Sequence, residues 1–495
     1  MKLSIAIIGS GFSALSAACY LAKDGHDVTI FEKNKTIGGR ARQLKKDGFT
    51  FDIGPTWYWM PDVFERFFSD FEKHPSDYYE LEKLNPAYSV YFAKEDYITI
   101  EDTLEKICET FEKEEPGSSQ KLKKFIANAQ HNYEVAIKDL VYRPGVSPFE
   151  LMTPVTMKKI DQFFSTIKKD VRKEFKNERL AKILEFPVLF LGAKPDNTPS
   201  FYSFMNYADF GIGTFHPKKG MYEVVLAMEQ LAKSLGVKIK TENSVEKITV
   251  TDSQANGIIA NGKTYHADIV LSGGDYHHSE TLLDKKDRQY SEAYWDKKVF
   301  APSSLLFYVA FDKKLKNVNH HTLFFDVDFE AHAKEIYDTP KWPENPLFYA
   351  SFPSLTDESV APEGQEAGIF LIPLAPGLED TQALRTLYFN KIIDRFENLT
   401  SQSVKNNIIF KESFCVKDFI EDYNSYKGNA YGMANTLLQT AFLRPKLKSK
   451  KVNNLYFTGQ LTVPGPGVPP SLISGKLVAE LIKKHHTAKA HESAI

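Results

Sequence analysis

The sequence predicts an α/β plus α+β fold, in which an α/β domain is assembled from the N- and C-terminal segments and an α+β domain is inserted between them. A strand, a glycine loop and a helix open the chain, and a second strand, a Gly/Pro-rich turn and a helix close it. The stretch between them mixes helical periodicity with short β-branched runs. At roughly 150 residues per domain, a chain of 495 residues is too long for one small core.

The first element is a βαβ unit at the start of the chain. Residues 3–8 are a short apolar run ending before Gly9, which is typical of a buried parallel strand. Residues 13–24 show helical spacing of apolar side chains, and Gly25 follows as a C-terminal cap. Residues 27–31 predict the second strand. Together these elements indicate the first half of a nucleotide-binding sheet.

The middle of the chain changes pattern twice. Residues 62–185 have few glycines and predict a mostly helical region. Residues 237–271 predict short strands, with Asn261-Gly262 as a hairpin turn. Residues 299–330 and 346–374 contain further strand-like runs. Most of this part is therefore expected to form the inserted domain, and the stretch 235–300 is expected to belong to the terminal domain.

The end of the chain repeats the opening pattern. A strand is predicted from Asn454 to Thr458, and a helix from 471 to 484 follows a Gly/Pro-rich turn. The predicted domain boundaries are residues 1–85, 235–300 and 445–485 for the terminal domain, 86–234 and 301–444 for the inserted domain, and 486–495 for a flexible tail.

Composition and charge exclude several classes of function. The net charge is −2, so no overall field draws the protein to nucleic acid. The three cysteines, Cys19, Cys108 and Cys415, form no CxxC pair, which argues against a disulfide framework and a zinc site and favours a reducing cytoplasm. No stretch reaches the ~20 apolar residues that span a bilayer.

The glycine loop carries the first functional signal. Gly9-Ser10-Gly11-Phe12-Ser13-Ala14 is a GxGxxA sequence between the first strand and helix. Gly9 permits the tight turn, Gly11 lets the backbone approach a pyrophosphate, and Ala14 permits close helix–strand packing. Glu32 ends the second strand, where a carboxylate accepts hydrogen bonds from a ribose diol. The context predicts a Rossmann-like dinucleotide site.

Two further segments separate FAD from NAD. Ile37-Gly38-Gly39-Arg40 follows the acidic strand end, and the Arg40 guanidinium adds charge-assisted donors near a diphosphate. The alternative is an ordinary glycine turn with a solvated arginine. Near the C-terminus, the strand ending at Gly459 is followed by a Pro/Gly-rich turn, 463–471, and a helix whose N-terminus favours negative charge. The alternative there is a merely rigid loop.

These segments resemble the bacterial-type phytoene desaturases, a family of FAD-dependent carotenoid desaturases within the amine oxidase superfamily. The resemblance extends over the whole chain and departs from the family pattern at Gln460-Leu461-Thr462, at 463–467 and at Pro470. Further matching segments are Phe51 to Thr56, Asn206 to Gly220, Val360 to Gly364, Arg444-Pro445 and Asn454 to Pro469.

The resemblance implies an FAD cofactor and a set of residues that bind it. They are Gly9, Gly11, Ser13, Ala14 and Glu32 for the ADP half; Gly39 and Arg40 for the diphosphate and ribityl region; Gly54, Pro55 and Thr56 near the isoalloxazine ring; Val245 for the adenine edge; and Gly459, Gln460, Val468 and Pro469 closing over the ring.

The resemblance also implies dehydrogenation of phytoene toward lycopene or neurosporene, with hydride transfer to flavin N5 and loss of a proton. A hydrocarbon offers no polar handle, so its site is expected to be an apolar tunnel. The sequence assigns no catalytic residue: Glu150, His216 and Asp209 are titratable and in suitable regions, yet each is more simply a surface or structural group. Oxygen or a quinone is the expected electron acceptor.

A membrane is the expected source of the substrate. The helical region 100–190 includes a segment, 151–190, in which lysines alternate with bulky apolar residues, which suggests an interfacial patch; an ordinary solvated helical face is the alternative. The predicted location is the cytoplasm, peripherally at the inner face of the cell membrane.

Other functions stay open from the sequence. A later desaturase acting on a hydroxylated carotenoid, a carotenoid isomerase and a flavin amine oxidase would use the same cofactor, and a protein that binds FAD without catalysis is the non-enzyme alternative. The GGR segment disfavours an NAD-dependent dehydrogenase. The sequence decides neither the number of desaturation steps, nor the substrate isomer, nor the oligomeric state.

Overall fold

The computed structural model describes residues 2–151 and 153–492. A five-stranded parallel sheet joins distant parts of the chain, which confirms the prediction of an α/β unit shared by both termini. Its central strands are almost fully buried, as expected of a parallel sheet covered on both faces. The strand order is Leu455–Phe457, Ile269–Ser272, Ser4–Ile8, Asp27–Phe31, Lys238–Lys240.

Two helices from opposite ends of the chain pack on this sheet. Helix Phe12–Lys23 lies against helix Val468–Glu492, and a Cβ at Gly475 would lie 2.5 Å from the carbonyl oxygen of Ser13. Only glycine allows that approach. The helix Tyr222–Ser234 also packs on Phe12–Lys23, although the predicted boundary placed it in the inserted domain; the domain boundaries stay predictions.

A seven-stranded sheet forms the centre of the inserted part. Neighbouring strands are antiparallel except for one parallel pair, His321–Phe324 beside Tyr88–Ala93. The strand order is Ile408–Phe414, Ser303–Phe311, Glu366–Leu374, Phe348–Ser351, His321–Phe324, Tyr88–Ala93, Asp96–Ile100. The strands at 299–330 and 346–374 are thus confirmed.

Three small sheets complete the β structure. Strands Val245–Thr251, Gln254–Ala260 and Lys263–His266 form an antiparallel sheet, in which Asn261 and Gly262 both have positive φ, 47° and 69°, as the predicted hairpin turn requires. Strand Gln43–Lys46 pairs with Phe49–Asp52, and Leu81–Lys83 pairs with Phe215–Pro217.

The region 62–185 is helical only in part. Strands Leu81–Lys83, Tyr88–Ala93 and Asp96–Ile100 interrupt it. The last two have buried side chains and pair within the seven-stranded sheet, whereas Leu81–Lys83 is largely exposed and pairs with Phe215–Pro217. The remaining helices are Pro61–Ser69, Leu104–Glu114, Ser118–Lys138, Pro154–Lys158, Ile160–Phe164, Ile167–Glu174, Glu178–Glu185, Phe204–Asn206, the π-helix Tyr207–Ile212, Tyr276–Thr281, Glu292–Asp296, Phe329–Tyr337, Gln382–Thr400 and Val416–Tyr423.

The last helix is longer at both ends than predicted. It runs from Val468 to Glu492, beyond the predicted limits 471–484, so the predicted tail at 486–495 is helical through Glu492 and its last three residues lie outside the described part. Among the described residues, no helix is long and apolar enough to cross a bilayer.

Candidate functional site

Two adjacent cavities share part of their lining. One, of about 270 Å³, lies at the carboxyl ends of strands Ser4–Ile8 and Asp27–Phe31 and is called the loop cavity. The other, of about 400 Å³, lies against the seven-stranded sheet and is called the apolar cavity. Both are lined by one shared set of residues, which forms their junction: Gly54, Pro55, Ser304, Leu371, Tyr431, Gly467 and Val468.

The glycine loop shapes one wall of the loop cavity. Gly9 has φ +87°, which favours glycine. A Cβ at Gly11 would have no atom within 4 Å, since this position opens into free space. Gly11 caps helix Phe12–Lys23, whose first turn carries no acidic side chain. The free N–H groups and the positive end of the helix dipole therefore remain available to an anion.

Glu32 lies beside this loop and is 4% exposed. Its Oε2 accepts hydrogen bonds from the backbone N–H (3.0 Å) and the hydroxyl (2.6 Å) of Ser10, and its Oε1 accepts one from the N–H of Asn34 (2.8 Å). A carboxylate has about four acceptor sites, so these bonds fix Glu32 in place and leave capacity for a hydroxyl donor such as a ribose.

Unpaired donors face the same cavity. Nε of Arg40 and Nε2 of Gln460 are buried and make no hydrogen bond within the described part of the chain. Buried donors normally have a partner, so these two atoms fit a ligand rich in acceptors, as a flavin diphosphate is. The pKa of Arg40 is lowered by burial, and the nearby Asp275 carboxylate partly offsets this change.

A second arginine supports Gln460 from behind. Arg444 is 2% exposed, and its guanidinium donates to the carbonyl of Gln460 (3.1 Å), to that of Met433 (2.7 Å) and to Oδ1 of Asn435 (2.5 Å). It therefore fixes the turn that carries Gln460. Burial lowers the pKa of Arg444 to about 10.

The junction depends on close backbone contact. A Cβ at Gly54 would lie 2.0 Å from the carbonyl oxygen of Arg40, so no other residue fits without moving the chain. Pro55 follows and lines both cavities, and Thr56 lines the apolar cavity. This approach brings the segment after strand Phe49–Asp52 to the loop cavity.

The other predicted residues divide into lining and packing positions. Val245, Ser13 and Gly459 line the loop cavity, Val468 lines both cavities, and Pro469 lines the apolar one. Ala14 lines neither. A Cβ at Gly273 would come within 2.7 Å of the Ala14 methyl group, so Ala14 lies where the helix meets the end of strand Ile269–Ser272.

The apolar cavity is enclosed mainly by aromatic and aliphatic side chains. Residues 57–59 are all aromatic: Trp57 and Trp59 line the cavity, whereas Tyr58 does not and shares a hydrogen bond with Tyr79 (2.8 Å). The few polar groups include Thr56 and Tyr349. Other members of the wall are Phe163, Phe186, Phe201, Leu323, Phe325, Phe329 and Leu347.

The titratable residues singled out by the sequence have structural partners. Glu150 lines the apolar cavity, but its carboxylate accepts from the N–H groups of Gly145 (2.8 Å) and Val146 (3.0 Å). Asp209 accepts from the hydroxyl of Tyr88 (2.7 Å), and burial raises its pKa to about 8.

His216 pairs with Asp357, 3.2 Å from Nε2 to Oδ2. Sequence reasoning missed Ser304, Leu371, Tyr349 and Tyr431, since isolated residues on separate strands and loops carry no local motif.

Several exposed apolar residues lie in the sequence beside residues that line the apolar cavity. Phe149 (74% exposed) and Phe164 (77%) lie next to lining residues of 145–150 and 163, and Leu438 (76%) lies near 440–442. We call Val146, Phe149, Phe164 and Leu438 the mouth patch. Two of the nearby cations are paired: Lys168 with Glu330 and Arg172 with Glu185, both at 2.6 Å.

Comparisons with known proteins agree with this geometry. The model of the flavin containing amine oxidoreductase family matches residues 12–483. A carotenoid 3,4-desaturase of Haloarcula japonica is 39% identical over 486 residues, covering 97% of each chain. A 4,4'-diapophytoene desaturase (4,4'-diaponeurosporene-forming) of Staphylococcus haemolyticus is 32% identical, covering 97% of this chain and 98% of that one.

Solved structures share the fold at low identity. An oxidoreductase of Methanosarcina mazei superposes with a TM-score of 0.63 at 17% identity, covering 97% of this chain and 100% of that one. A cyclohexylamine oxidase of Brevibacterium oxydans gives 0.60 at 12%, covering 98% and 100%. These similarities concern the fold alone.

Proposed function

The chain belongs to the flavin-containing amine oxidoreductase family, and we propose that it is an FAD-dependent carotenoid desaturase whose substrate is phytoene. The observation that carries the proposal is the junction: a cavity with apolar walls adjoins the loop cavity, and the two share lining residues that include Gly54 and Pro55. A hydrocarbon in the first cavity would thus lie beside a flavin held in the second.

Backbone N–H groups and a few polar or charged side chains bind the cofactor. The helix Phe12–Lys23 presents its N-terminus to the diphosphate, Glu32 accepts from the ribose, and Arg40 and Gln460 supply the unpaired donors. When bound, FAD supplies the oxidising power for hydride removal. The individual assignments, including Val245, Thr56 and Pro469, are part of the proposal.

The apolar walls orient the substrate by shape. Burial of apolar surface contributes about 25 cal/mol per Å², so a long hydrocarbon gains affinity along the whole cavity without a polar contact. The same walls exclude water from the carbon atoms that lose hydrogen. The relatives from Staphylococcus are 4,4'-diapophytoene desaturases, and they support a phytoene-type substrate.

A second candidate is 3,4-desaturation near the end of a carotenoid, including one that carries a hydroxyl group.

 The relative from Haloarcula japonica, at 39% identity, favours this candidate because it is a carotenoid 3,4-desaturase. Hydroxyl groups on the cavity wall, among them Tyr337 and Tyr431, are also compatible with a substrate that carries an oxygen. The two candidates share the cofactor and the cavity and differ in the carbon atoms presented at the junction.

The membrane surface is the proposed source of the substrate. The mouth patch supports membrane contact more than the cations of 151–190 do. Exposed phenylalanines insert into an interface, whereas Lys168 and Arg172 are paired with carboxylates and attract lipid weakly. We also retain, as proposals, a peripheral position at the inner face of the cell membrane and oxygen or a quinone as electron acceptor.

Expression in two carotenoid-producing hosts tests the function. One host makes only phytoene, and the other makes lycopene and its hydroxylated derivative; chromatography of the pigments identifies the products. Conversion of phytoene supports the first candidate, and new end-of-chain double bonds in lycopene or its hydroxylated derivative support the second. FAD-loaded protein that changes none of these pigments would contradict both while leaving the flavoprotein assignment intact.

A further inference from the structure

The wall of the apolar cavity contains a chain of hydroxyl and imidazole groups that begins at Thr56, beside the proposed cofactor site. Oγ1 of Thr56 lies 2.8 Å from the hydroxyl of Tyr349, and that hydroxyl lies 2.6 Å from Nδ1 of His321. Thr56 and Tyr349 line the cavity, whereas His321 lies behind them and is fully buried. The three side chains thus connect the substrate space to an interior base.

The position of this chain relative to the junction is set by sheet register. Tyr349 is the direct partner of Leu371 on the neighbouring strand, and Leu371 lines both cavities. Side chains of paired residues project on the same face of a sheet. Thr56 follows Gly54 and Pro55, which also line both cavities. The hydroxyl pair therefore lies next to the place where substrate and cofactor would meet.

His321 is equipped to hold a proton briefly. Its Nε2 is buried and makes no hydrogen bond within the described part of the chain. Burial, and then the nearby His216, lower the pKa of His321 well below its usual value, so the ring is neutral at rest. The Trp57 ring stacks on it with centroids 4.0 Å apart, an arrangement that favours the imidazolium through a cation–π interaction.

Resting on the proposed desaturation, we propose that the Thr56–Tyr349 hydroxyl pair accepts the proton that the substrate loses, and that Nδ1 of His321 takes the proton of Tyr349. Tyr349 and Thr56 are then catalytic residues, and His321 is a positioning residue that acts through Tyr349. This arrangement supplies a proton acceptor, a role to which the sequence assigned no residue.

The bonds balance as follows in the desaturation. One C–H bond of the substrate breaks and its hydrogen leaves with the electron pair as hydride to FAD, the oxidant. The C–H bond on the neighbouring carbon breaks in the same step, as positive charge develops beside it, and its electron pair forms the new C=C bond. The released proton binds the hydroxyl pair while the O–H bond of Tyr349 breaks and an N–H bond forms on His321. A proton next to a cationic carbon is strongly acidic, so a base with a low pKa is sufficient.

Two more histidines pack near His321 by ring contact. The ring centroids of His321 and His320 lie 4.4 Å apart, and Nδ1 of His320 lies 2.7 Å from Oγ1 of Thr356, an exposed residue. The ring of His216 lies 4.6 Å from that of His320 and pairs with Asp357. Because Nε2 of His321 has no hydrogen-bond partner in the described part of the chain, the proton leaves by the bond through which it arrived, from Nδ1 to Tyr349 and into the emptied cavity, which regenerates neutral His321 for the next step.

Rapid mixing of the FAD-loaded variants with substrate in vesicles, without oxygen, tests the proposal. Tyr349→Phe should slow flavin reduction about a hundredfold, the lower end of typical acid–base contributions, while FAD loading is unchanged. Deuterium at the carbon that loses the proton should then give a larger isotope effect than in the wild type. Tyr58→Phe is the matched control, because it removes another buried tyrosine hydroxyl that does not line the cavity.

His321→Asn separates hydrogen bonding from proton transfer. The asparagine oxygen can accept the Tyr349 hydrogen bond in place of Nδ1, but it cannot take the proton. We therefore expect the same slow reduction and the same raised isotope effect. A wild-type rate and isotope effect in either His321→Asn or Tyr349→Phe would overturn the proposal.

A measurement without substrate tests the proton relay separately from the proposed desaturase function. Nitrogen NMR of labelled histidine in the holoenzyme should show His321 with its hydrogen on Nε2, and its Nδ1 signal should move in Tyr349→Phe. A hydrogen on Nδ1 would overturn the relay even if the enzyme desaturates carotenoids. Conversely, a wild-type enzyme inert toward every carotenoid would contradict the proposed function, whatever the tautomer.

Discussion

The two cavities are adjacent, but they are built in different ways. The loop cavity is shaped by backbone, glycines and a few fixed charges from short segments such as 9–14 and 38–40. The apolar cavity is shaped by large side chains from helices, strands and loops spread between residues 54 and 473. A cofactor of constant structure is thus held by a constant backbone geometry, whereas the hydrocarbon is held by a surface that side chains alone can reshape.

This difference predicts how each region responds to substitution. In the loop cavity, one added methyl group should act on folding or on FAD binding. In the apolar cavity, a larger change should act on the substrate and leave FAD in place. The following variants, ordered from the largest expected effect, test that separation.

Gly54→Ala and Gly11→Ala give the sharpest contrast, because they make the same chemical change. The methyl group at Gly54 would collide with the carbonyl oxygen of Arg40 at 2.0 Å, whereas the one at Gly11 would meet only free space. We expect Gly54→Ala to cost about 3 kcal/mol or more of stability. Gly11→Ala should fold normally but bind FAD weakly. Thermal unfolding of the apoproteins and FAD titration measure the two effects, and equal stability of both apoproteins would contradict the contact.

Glu32→Ala tests the charged part of the loop cavity. Loss of hydrogen bonds to a charged acceptor costs about 3 kcal/mol at the upper end, or roughly a hundredfold in FAD affinity. Glu32→Gln is the control, because its amide oxygen can still accept a hydrogen bond from Ser10. Flavin absorbance after gel filtration measures retention. Fully loaded Glu32→Ala protein would refute the role of this carboxylate.

Ala333→Phe tests the apolar cavity from the helix Phe329–Tyr337. The added ring should occupy substrate space and cost about 2 kcal/mol of substrate binding, or roughly thirtyfold in kcat/KM for the carotenoid, with FAD unchanged. Ala331→Phe lies on the same helix but is exposed and does not line the cavity, so it is the matched control. Equal activity of the two variants would show that the substrate lies elsewhere.

The mouth patch should give the smallest effect, because it acts only on access to the membrane. Changing Phe149 and Phe164 to Ser removes two exposed rings and should weaken vesicle binding by about tenfold, since two partly inserted rings together contribute on the order of 1.4 kcal/mol. Ile409→Ser is the control, an exposed apolar residue on a strand that does not line the apolar cavity. Flotation with vesicles measures binding. A loss of binding only in Ile409→Ser would place the membrane contact elsewhere.

Prediction from the sequence was reliable for one region and weak for the other. The glycine loop, Glu32 and the C-terminal turn are local patterns with a fixed spacing, and the structure brings them around one cavity. The helical interpretation of 62–185 was wrong for Tyr88–Ala93 and Asp96–Ile100, because these strands are stabilised by pairing with His321–Phe324 and with each other. Such long-range pairing leaves little local periodicity to detect.

The sequence by itself determined the glycine loop, the family of the chain and the α/β unit formed by both termini. Each is indicated by local patterns, and within each pattern the residues lie close together in the sequence. Only the tertiary structure decided that Thr56, Tyr349 and His321 form one hydrogen-bonded chain, and that Gly54 must be glycine. The physical reason is range: backbone conformation follows from neighbouring residues, whereas a cavity wall depends on which distant strands pair and in which register.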